Sequence, residues 1–267
     1  MLFRILIRVN RCSNLFGVLD LRMRFVGVIP VRFGSSRFPG KPLVEIAGKP
    51  IIWWVHEQVC QARHLSEVLV ATDNERVFET VKDFGGKAVM TGTEHYCGTD
   101  RIGEVAQSFE GDVFVNIQGD LPTIAPETID QICAPFEKDS QVQVTTARVQ
   151  IIDLVQIQNP NIVKVVVDNR NRALYFSRSI IPHTRNGSGV CYKHVGIYAY
   201  KRHSLQMFCR FKPSRLEQIE GLEQLRFLEN GVPIEVIEVD DNSLAVDAPE
   251  DIEGVRPLLE NEFNKLE

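Results

Sequence analysis

Several features that would assign this 267-residue chain to a common protein class are missing from its sequence. Its six cysteines include no pair in the spacing Cys-X-X-Cys, which argues against a zinc site or a redox motif. Cysteines scattered in this way are usual for reduced thiols, so we expect a cytoplasmic protein. A net positive charge is also missing, because the formal net charge is −5 at pH 7. Nucleic-acid binding depends on cations that meet phosphates, so we expect no nucleic-acid partner.

Long apolar runs are missing as well, including at the N-terminus. Arg4 and Arg8 interrupt the apolar residues of the opening segment, MLFRILIRVNRCSNLFGVLDLR. A membrane span needs about 20 apolar residues, so we expect none here. The segment also lacks the clean apolar core and small-residue cleavage site of a secretory signal, and its single serine argues against a transit peptide. We interpret residues 1–22 as a disordered extension or an over-extended start, and residues 23–267, from Met23, as one domain.

The sequence does contain an alternation of apolar, β-branched runs with helix-like segments. Several of the runs are continuous, which is typical of strands buried on both faces of a sheet. No repeat, low-complexity tract or linker divides them. The alternation predicts an α/β fold of three layers with a mostly parallel, doubly wound sheet. The predicted strands are Phe25–Pro30, Val68–Thr72, Lys87–Met90, Val113–Ile117, Val142–Ala147, Lys164–Asp168, His194–Tyr200 and Pro233–Val239. The predicted helices are Ile51–Ala62, Asn74–Phe84, Thr99–Phe109, Glu127–Phe136 and Leu216–Leu228.

The loop after the first predicted strand, VRFGSSRFPGKPL over Val31–Leu43, is rich in cations and small residues. These residues are Arg32, Gly34, Ser35, Ser36, Arg37, Gly40 and Lys41. Ligands of doubly wound sheets bind at the carboxyl ends of strands, where this loop lies. Small residues let backbone N–H groups approach an anion, and arginine adds bidentate charge. The spacing matches neither a Walker P-loop nor a GxGxxG turn. The loop therefore indicates a phosphate site, or alternatively a basic surface loop.

Two aspartates later in the chain are candidates for metal binding. Asp120, in NIQGDLP, follows the predicted strand Val113–Ile117, and Asp247, in LAVDAPEDIEGV, precedes a helix start with Pro249 in its first turn. Proteins usually hold Mg²⁺ through one or two carboxylates together with phosphate oxygens. Each residue also has a simpler interpretation, Asp120 as a turn residue that caps its own backbone and Asp247 as a helix N-cap.

Eight motifs in a fixed order give the chain a specific resemblance, which runs from about Phe25 to the C-terminus. They are IPVRFGSSRFPGKPL, VATDNERV, GTDRI, VNIQGD, ALYFSRSIIP, KHVGIYAY, LEQLRFLENG and VDAPEDIE. On these motifs the chain resembles the 3-deoxy-manno-octulosonate cytidylyltransferase family of bacterial lipopolysaccharide synthesis. Sialic-acid-activating relatives share the fold but lack the sequence motifs FPGKPL and ALYFSR. The resemblance implies transfer of CMP from CTP to 3-deoxy-D-manno-octulosonate (KDO), with pyrophosphate as the second product and Mg²⁺ as cofactor.

The resemblance also implies roles for individual residues. The nucleotide side is implied to comprise Arg32, Gly34, Ser35, Ser36 and Lys41 at the triphosphate, with Thr72 and Asp73 at cytosine and ribose. The implied metal ligands are Asp120 and Asp247, and the residues expected to carry catalysis are Arg32, Lys41 and Asp120. The implied sugar-binding residues are Gln118, Arg178, His194, Glu220 and Gln224.

The sugar-side residues have simpler interpretations. Glu217, Glu220 and Gln224 fall on one face of the predicted helix Leu216–Leu228, so they could form an ordinary solvated face. Four leucine and isoleucine residues would make an apolar stripe on another face of the same helix, namely Leu216, Ile219, Leu222 and Leu225. His194 could be a core imidazole with its hydrogen bonds satisfied.

Two residues depart from the family pattern. Leu121 stands where the metal loop of the family usually has glutamate, and Arg215 stands where many members have proline. Both are expected near the sugar pocket, so they leave the preferred sugar open, with 8-amino-3,8-dideoxy-manno-octulosonate as the alternative acceptor. Further alternatives are another nucleotidyltransferase, acting on sialic acid or an isoprenoid precursor, and a non-catalytic nucleotide-binding homologue.

The segment Lys164–Pro182 predicts a β-hairpin, because two short apolar runs flank the turn-like sequence Asp168–Asn171. A hairpin of this kind is marginal alone and needs a partner surface. The family resemblance places it at a dimer interface, so we expect a homodimer.

Overall fold

The structure, a computed structural model, describes residues 23–34, 38–186, 189–241 and 243–266. The predicted extension, residues 1–22, and the loop residues Ser35, Ser36 and Arg37 lie outside the described residues.

Eleven strands occur in the described residues, and every predicted apolar run overlaps one of them. The strands are β1 Phe25–Val31, β2 Glu45–Ile46, β3 Lys49–Pro50, β4 Leu65–Thr72, β5 Ala88–Met90, β6 Val113–Asn116, β7 Val144–Ile151, β8 Lys164–Val167, β9 Ala173–Ser177, β10 Cys191–Lys201 and β11 Ile234–Glu238.

Nine α-helices lie between or after these strands within the described ranges. They are α1 Ile51–Cys60, α2 Glu75–Asp83, α3 Gly98–Ser108, α4 Pro126–Lys138, α5 Leu154–Gln158, α6 Arg202–Arg210, α7 Arg215–Glu220, α8 Leu225–Glu229 and α9 Ile252–Leu266. Short 3-10 turns are found at Lys41–Leu43 and Pro249–Asp251. Across the part of the chain that is described, no helix has both the length and the apolar character that crossing a membrane requires.

The strands form a mostly parallel sheet in the order β11-β7-β10-β6-β1-β4-β5. Strand β1 is parallel to both β4 and β6, β4 is parallel to β5, and β7 is parallel to β11. Strand β10 is antiparallel to β6 and β7 and also pairs with β8 of the β8–β9 hairpin. The two-stranded β2–β3 pair stands apart. The predicted fold class is confirmed, with one antiparallel strand in the middle of the sheet.

Helices cover both faces of the sheet, as the continuous apolar strands predict. In β1, Phe25, Ile29 and Val31 pack with α1 and α4 on one face, whereas Val26 and Val28 pack with α3 and α6 on the other. Successive residues of a strand point to opposite faces, so a strand between two helical layers must be apolar at both. The result is the predicted three-layer arrangement.

The prediction of one helix over Leu216–Leu228 is wrong. Gly221 has φ of +64°, a left-handed conformation that ends α7 before α8 begins. The predicted apolar stripe is therefore not formed, because Leu222 is buried while Ile219 is 68% exposed. The predicted solvated face is not formed either, since Glu217 is buried and its carboxylate pairs with Arg226.

The predicted hairpin at Lys164–Pro182 is present as the antiparallel pair β8–β9, in which Val165 lies opposite Phe176. Its turn is closed by Asp168, whose carboxylate accepts hydrogen bonds from the backbone N–H groups of Arg170 and Arg172. The side chain of Arg172 donates to the same carboxylate at 2.9 Å.

Candidate active site

Two loops at the carboxyl ends of β1 and β6 form the walls of one cleft. The loops come close because Gly119 has no side chain: a Cβ at this position would lie 2.9 Å from a methyl carbon of Val31. The cleft has a volume of about 350 Å³ and is lined in part by predicted site residues. These are Arg32, Gly34, Lys41, Gln118, Asp120 and Asp247. The sheet edge thus brings together residues that are more than 200 positions apart in the chain.

Lys41 and Asp120 form an ion pair inside this cleft. The Lys41 Nζ lies 2.8 Å from Asp120 Oδ2, and the two side chains are 13% and 29% exposed. The carboxylate therefore reaches across to the other loop, which contradicts the simpler interpretation of Asp120 as a turn residue that only caps its own backbone. An ammonium group has three N–H donors, so Lys41 can bond Asp120 and an incoming anion together.

Asp247 is brought to the same cleft by a backbone contact. The Val246 N–H donates to the carbonyl of Asp120 at 2.9 Å, which holds the chain before α9 against the loop after β6. The cap of the following turn comes from Asp251, whose carboxylate accepts from the N–H groups of Asp247 and Ala248, each at 2.8 Å. The N-cap position of the turn Pro249–Asp251 is Ala248, so Asp247 stands one residue before it. Asp247 is exposed and borders the cleft.

The carboxylates of Asp120 and Asp247 are the candidate metal ligands of the cleft. No cluster of three or more histidine, cysteine or acidic side chains suited to a metal occurs among the described residues. Mg²⁺ differs from Zn²⁺ and Ca²⁺ in this respect, because one or two carboxylates suffice when substrate phosphates complete its shell. The donor set of the cleft thus fits Mg²⁺ bound together with a phosphate ligand, and does not fit a closed structural metal site.

Arg32 is exposed and reaches across the cleft mouth. Its Nη2 donates a hydrogen bond to the backbone carbonyl of His95, in the loop between β5 and α3. The loop that carries Arg32 is closed by the Gly40 N–H, which donates to the carbonyl of Phe33 at 3.1 Å. Gly40 has φ of +72°, a conformation that few residues other than glycine adopt. The glycine is therefore needed for the loop to turn back toward Lys41.

Arg101 was not singled out by sequence reasoning, although it lies in the motif GTDRI. Arg101 is one of the residues that line the cleft, its side chain is fully buried, and its Nη2 lies 2.6 Å from Asp73 Oδ2. The Nε atom of Arg101 has no hydrogen-bond partner among the described residues. The buried Thr72, the last residue of β4, and Asp73, which follows it and pairs with this arginine, are predicted to contact cytosine and ribose. Neither is among the residues that line the cleft. Their nucleotide role stays a prediction.

Arg178 and Glu220, two of the predicted sugar-binding residues, contact each other. The N–H of Arg178 donates to Glu220 Oε2 at 3.0 Å, and its Nε donates to the Glu220 carbonyl at 2.8 Å. Burial alone would raise the pKa of Glu220, but hydrogen bonds from Arg178, Ser177 and Tyr175 bring it below its ordinary value. The carboxylate is therefore charged at neutral pH and holds the end of β9 against α7.

His194 and Gln224 lie apart from that pair. The Nε2 of His194 is 2.9 Å from the Thr146 hydroxyl, which lies 2.7 Å from the Ile197 carbonyl. A hydroxyl that donates to Ile197 must accept from His194, which places the imidazole proton on Nε2. The ring packs against Phe176 and Tyr198, and desolvation lowers the pKa of His194 to about 3. His194 is therefore neutral. Gln224 is buried at the start of α8.

Glu223 is a further candidate that sequence reasoning missed. Its Oε1 accepts from the Thr99 hydroxyl at 2.6 Å, and that hydroxyl lies 3.1 Å from the Tyr200 hydroxyl. Burial raises the pKa of Glu223, and a buried carboxyl with a raised pKa in a polar cluster is often a functional group. The residue lies in the motif LEQLRFLENG, directly before Gln224, the residue to which the resemblance gives a sugar-binding role.

The two departures from the family pattern are not among the residues that line the cleft. Leu121, which directly follows Asp120, is 8% exposed and packs in the core with Ile124 and Ile129. Its expected place near the sugar stays a prediction. Arg215 is exposed at the first position of α7.

Comparison with known proteins agrees with this geometry. A family model described as Cytidylyltransferase matches residues 26–237. The 3-deoxy-manno-octulosonate cytidylyltransferase of Geobacter metallireducens is 46% identical over 245 residues, which cover 87% of this chain and 96% of that protein. The enzyme of the same name from Acidobacterium capsulatum is also 46% identical, over 89% of this chain and 97% of that protein.

Solved structures give the same result. The structure of a CMP:2-keto-3-deoxy-manno-octonic acid synthetase complexed with CTP matches with a TM-score of 0.86 and 45% identity, over 90% of this chain and 99% of that chain. A 4-diphosphocytidyl-2C-methyl-D-erythritol synthase from Anaerococcus prevotii matches with a TM-score of 0.59 at 12% identity, which is a likeness of fold alone.

Proposed function

The chain belongs to the 3-deoxy-manno-octulosonate cytidylyltransferase family, and from this we propose that it transfers CMP from CTP to KDO and releases pyrophosphate. KDO is a sugar of lipopolysaccharide, so the product serves lipopolysaccharide synthesis. The observation that carries the proposal is the cleft at the ends of β1 and β6, where Arg32 and Lys41 meet Asp120 and Asp247. Cations suit a triphosphate, and the carboxylates suit the metal that accompanies it.

The reaction joins the anomeric oxygen of KDO to the α-phosphorus of CTP and breaks the bond to the β-phosphate. Most of the catalysis in such a transfer comes from positioning and from offsetting negative charge. Lys41 is held in the cleft by Asp120 and retains N–H donors for a phosphate oxygen. Arg32 offers a planar, bidentate donor set to the same triphosphate.

Asp120 and Asp247 are the residues that would hold Mg²⁺. When bound there with the triphosphate, the metal would offset charge on the reacting phosphate and on the departing pyrophosphate. The carboxylates themselves keep negative charge at the cleft, where the backbone bond between Val246 and Asp120 fixes their loops relative to each other.

The sugar is assigned to Gln118 in the cleft and, on family resemblance, to Arg178, His194, Glu220 and Gln224. KDO carries one carboxylate and several hydroxyls, which call for a cation and for mixed donors and acceptors. Arg178 supplies the cation, although its guanidinium also donates to the carbonyls of Glu220 and Pro160. The neutral imidazole of His194 has an unprotonated Nδ1, which is an acceptor.

We also propose that the protein is a cytoplasmic homodimer. Apolar side chains are exposed on α5, on the β8–β9 hairpin and on α7, including Leu154, Val155, Leu174 and Ile219. These elements are linked, because Arg178 at the end of β9 bonds both Pro160, after α5, and Glu220, in α7. A connected surface with several exposed large apolar residues is typical of a protein interface.

A comparison of acceptors tests the proposed function. Initial rates of pyrophosphate release would be measured with CTP, Mg²⁺ and one of three acceptors: KDO, 8-amino-3,8-dideoxy-manno-octulosonate or N-acetylneuraminate. We expect the highest kcat/KM with KDO. A higher value with either other sugar would reassign the acceptor, and release with none of the three would contradict the proposed function.

A further inference from the structure

The loop between β5 and α3, which includes residues 92–97, supplies a hydrogen bond to Arg32. The carbonyl of His95 in this loop accepts the hydrogen bond of the Arg32 guanidinium. Arg32 is exposed, and a long exposed side chain of this kind occupies many rotamers unless a partner holds it. The position of the His95 carbonyl therefore decides where the Arg32 guanidinium lies in the cleft.

The loop itself has few internal contacts. Gly92, Thr93, Glu94 and Tyr96 are exposed, and the loop belongs to no helix or strand. Its start is fixed through Thr91, whose N–H donates to the carbonyl of Thr72 at 2.9 Å. Exposed loops with few buried contacts are the least stable parts of a fold. A specific tether is therefore needed to keep the His95 carbonyl in place.

Glu104, on α3, provides that tether from a single carboxylate oxygen. Its Oε2 accepts from the Gly92 N–H at 2.9 Å and also pairs with the Nε2 of His95. The oxygen thus binds both ends of the segment from residue 92 to residue 95. The two side chains are partly exposed, 19% for His95 and 40% for Glu104, so neither is a core residue. Burial would raise the pKa of Glu104, but the hydrogen bonds from Gly92 and His95 lower it, which keeps the acceptor charged.

We propose that the Glu104–His95 pair is a positioning device for Arg32, which holds the 92–97 loop so that the His95 carbonyl orients the guanidinium toward the bound triphosphate. The inference rests on the proposed function, since CTP is the ligand that Arg32 would meet. Neither Glu104 nor the His95 imidazole needs to touch CTP. They hold Arg32 in place before CTP binds, so binding costs less side-chain conformational entropy.

Titration calorimetry with CTP tests this inference without turnover. Fixing one flexible side chain in advance is worth about 0.5–1.5 kcal/mol, so Glu104→Ala and His95→Ala should each raise the Kd for CTP by about 2- to 13-fold. His95→Gln keeps an N–H donor toward Glu104 and should bring the Kd back toward the wild-type value. The matched control is His64→Ala, which removes another histidine–carboxylate pair, with Asp130 at 2.9 Å, on a different loop. It should leave the Kd unchanged.

The decisive arm repeats Glu104→Ala in an Arg32→Ala background. If Glu104 acts through Arg32, the second substitution should change the Kd by less than about 1.5-fold, because coupled residues are non-additive. An equal loss in both backgrounds would show a merely structural role and overturn the inference. An unchanged Kd for Glu104→Ala in otherwise wild-type protein would overturn it as well. Wild-type protein that binds no CTP would instead overturn the proposed function, and this inference with it.

Discussion

Asp120 and Asp247 are the two aspartates, among the described residues, that line the cleft with Lys41 and Arg32. We expect Asp120→Asn and Asp247→Asn each to lower kcat by about 100-fold or more, the scale of a lost electrostatic contact in a transition state. The amide is nearly isosteric but lacks the charge that holds a hard dication against its hydration shell. Steady-state rates at saturating Mg²⁺ give the measurement.

Asp139→Asn is the matched control for these substitutions. Asp139 is exposed after α4, and its carboxylate accepts the Gln141 N–H at 2.7 Å, a role that asparagine fills equally well. We expect its kcat to equal the wild-type value. If Asp120→Asn or Asp247→Asn also stayed within a few-fold of wild type, the residue concerned would not be a metal ligand.

His194 gives the chain a pH-dependent stability. Its pKa falls from 6.5 to about 3 on folding, because burial disfavours the charged imidazole. Below pH 6.5 the unfolded chain binds a proton at this histidine that the folded chain does not. The full free energy of unfolding is therefore present above pH 6.5, and part of it is lost as the pH falls toward 3. Between about pH 7 and pH 4.5 we expect the wild type to lose about 2 kcal/mol more free energy of unfolding than His194→Gln.

Urea unfolding at the two pH values measures this difference. The control is His203→Gln, because His203 is exposed on α6, and this variant should lose stability with falling pH as the wild type does. Parallel losses for wild type and His194→Gln would mean that the His194 imidazole is not desolvated in the folded protein.

At the scale of elements, the break between α7 and α8 depends on one glycine. Gly221 has φ of +64°, although no atom lies within 4 Å of where its Cβ would stand. Gly221→Ala should therefore lower the free energy of unfolding by roughly 1 kcal/mol through backbone strain alone. The control is Gly254→Ala in α9, where the space is also open and the backbone is helical, and it should raise stability by about 0.4–1 kcal/mol. Equal effects of the two substitutions in chemical unfolding would contradict this account of the break.

The same two elements show what the sequence could and could not predict about the fold. Strands such as β1 and β6 were predictable because burial on both faces requires continuous apolar runs, and no other element of that length does. The spacing of Leu216, Leu222 and Leu225 fits one helix equally well as two. In the structure the left-handed Gly221 ends α7, and the buried pair of Glu217 with Arg226, a tertiary contact, joins α7 to α8.

The candidate site was likewise predictable from the sequence only in part. Arg32, Lys41 and Asp120 were predictable as neighbours, because the loops after parallel strands meet at one edge of the sheet. Asp247 follows no predicted strand, and only the family resemblance associated it with the others. Arg101 and Glu104 lie on α3, and their side chains reach to neighbouring loops, where they pair with Asp73 and His95. The periodicity of the sequence gives no signal of such contacts.

At the scale of the whole molecule, the proposed homodimer rests on the exposed apolar surface that includes the hairpin residue Leu174. We expect light scattering to give about twice the 30.3 kDa of one chain. Leu174→Glu, on β9, should shift the mass toward that of the monomer, because it places a charge in the apolar surface. Leu258→Glu, an exposed leucine on α9, is the control and should remain dimeric. A wild-type mass of one chain at the assay concentration would exclude the homodimer.

The reaction itself is tested most directly by ³¹P NMR of the protein with CTP, KDO and Mg²⁺. The account predicts that the CTP signals give way to one phosphodiester signal, from CMP-KDO, and to pyrophosphate in a 1:1 ratio, and that omission of KDO leaves CTP intact. Pyrophosphate accompanied by free CMP would show that water is the acceptor. Unchanged CTP in the complete mixture would show that the protein does not catalyse the transfer, and either result would contradict the account.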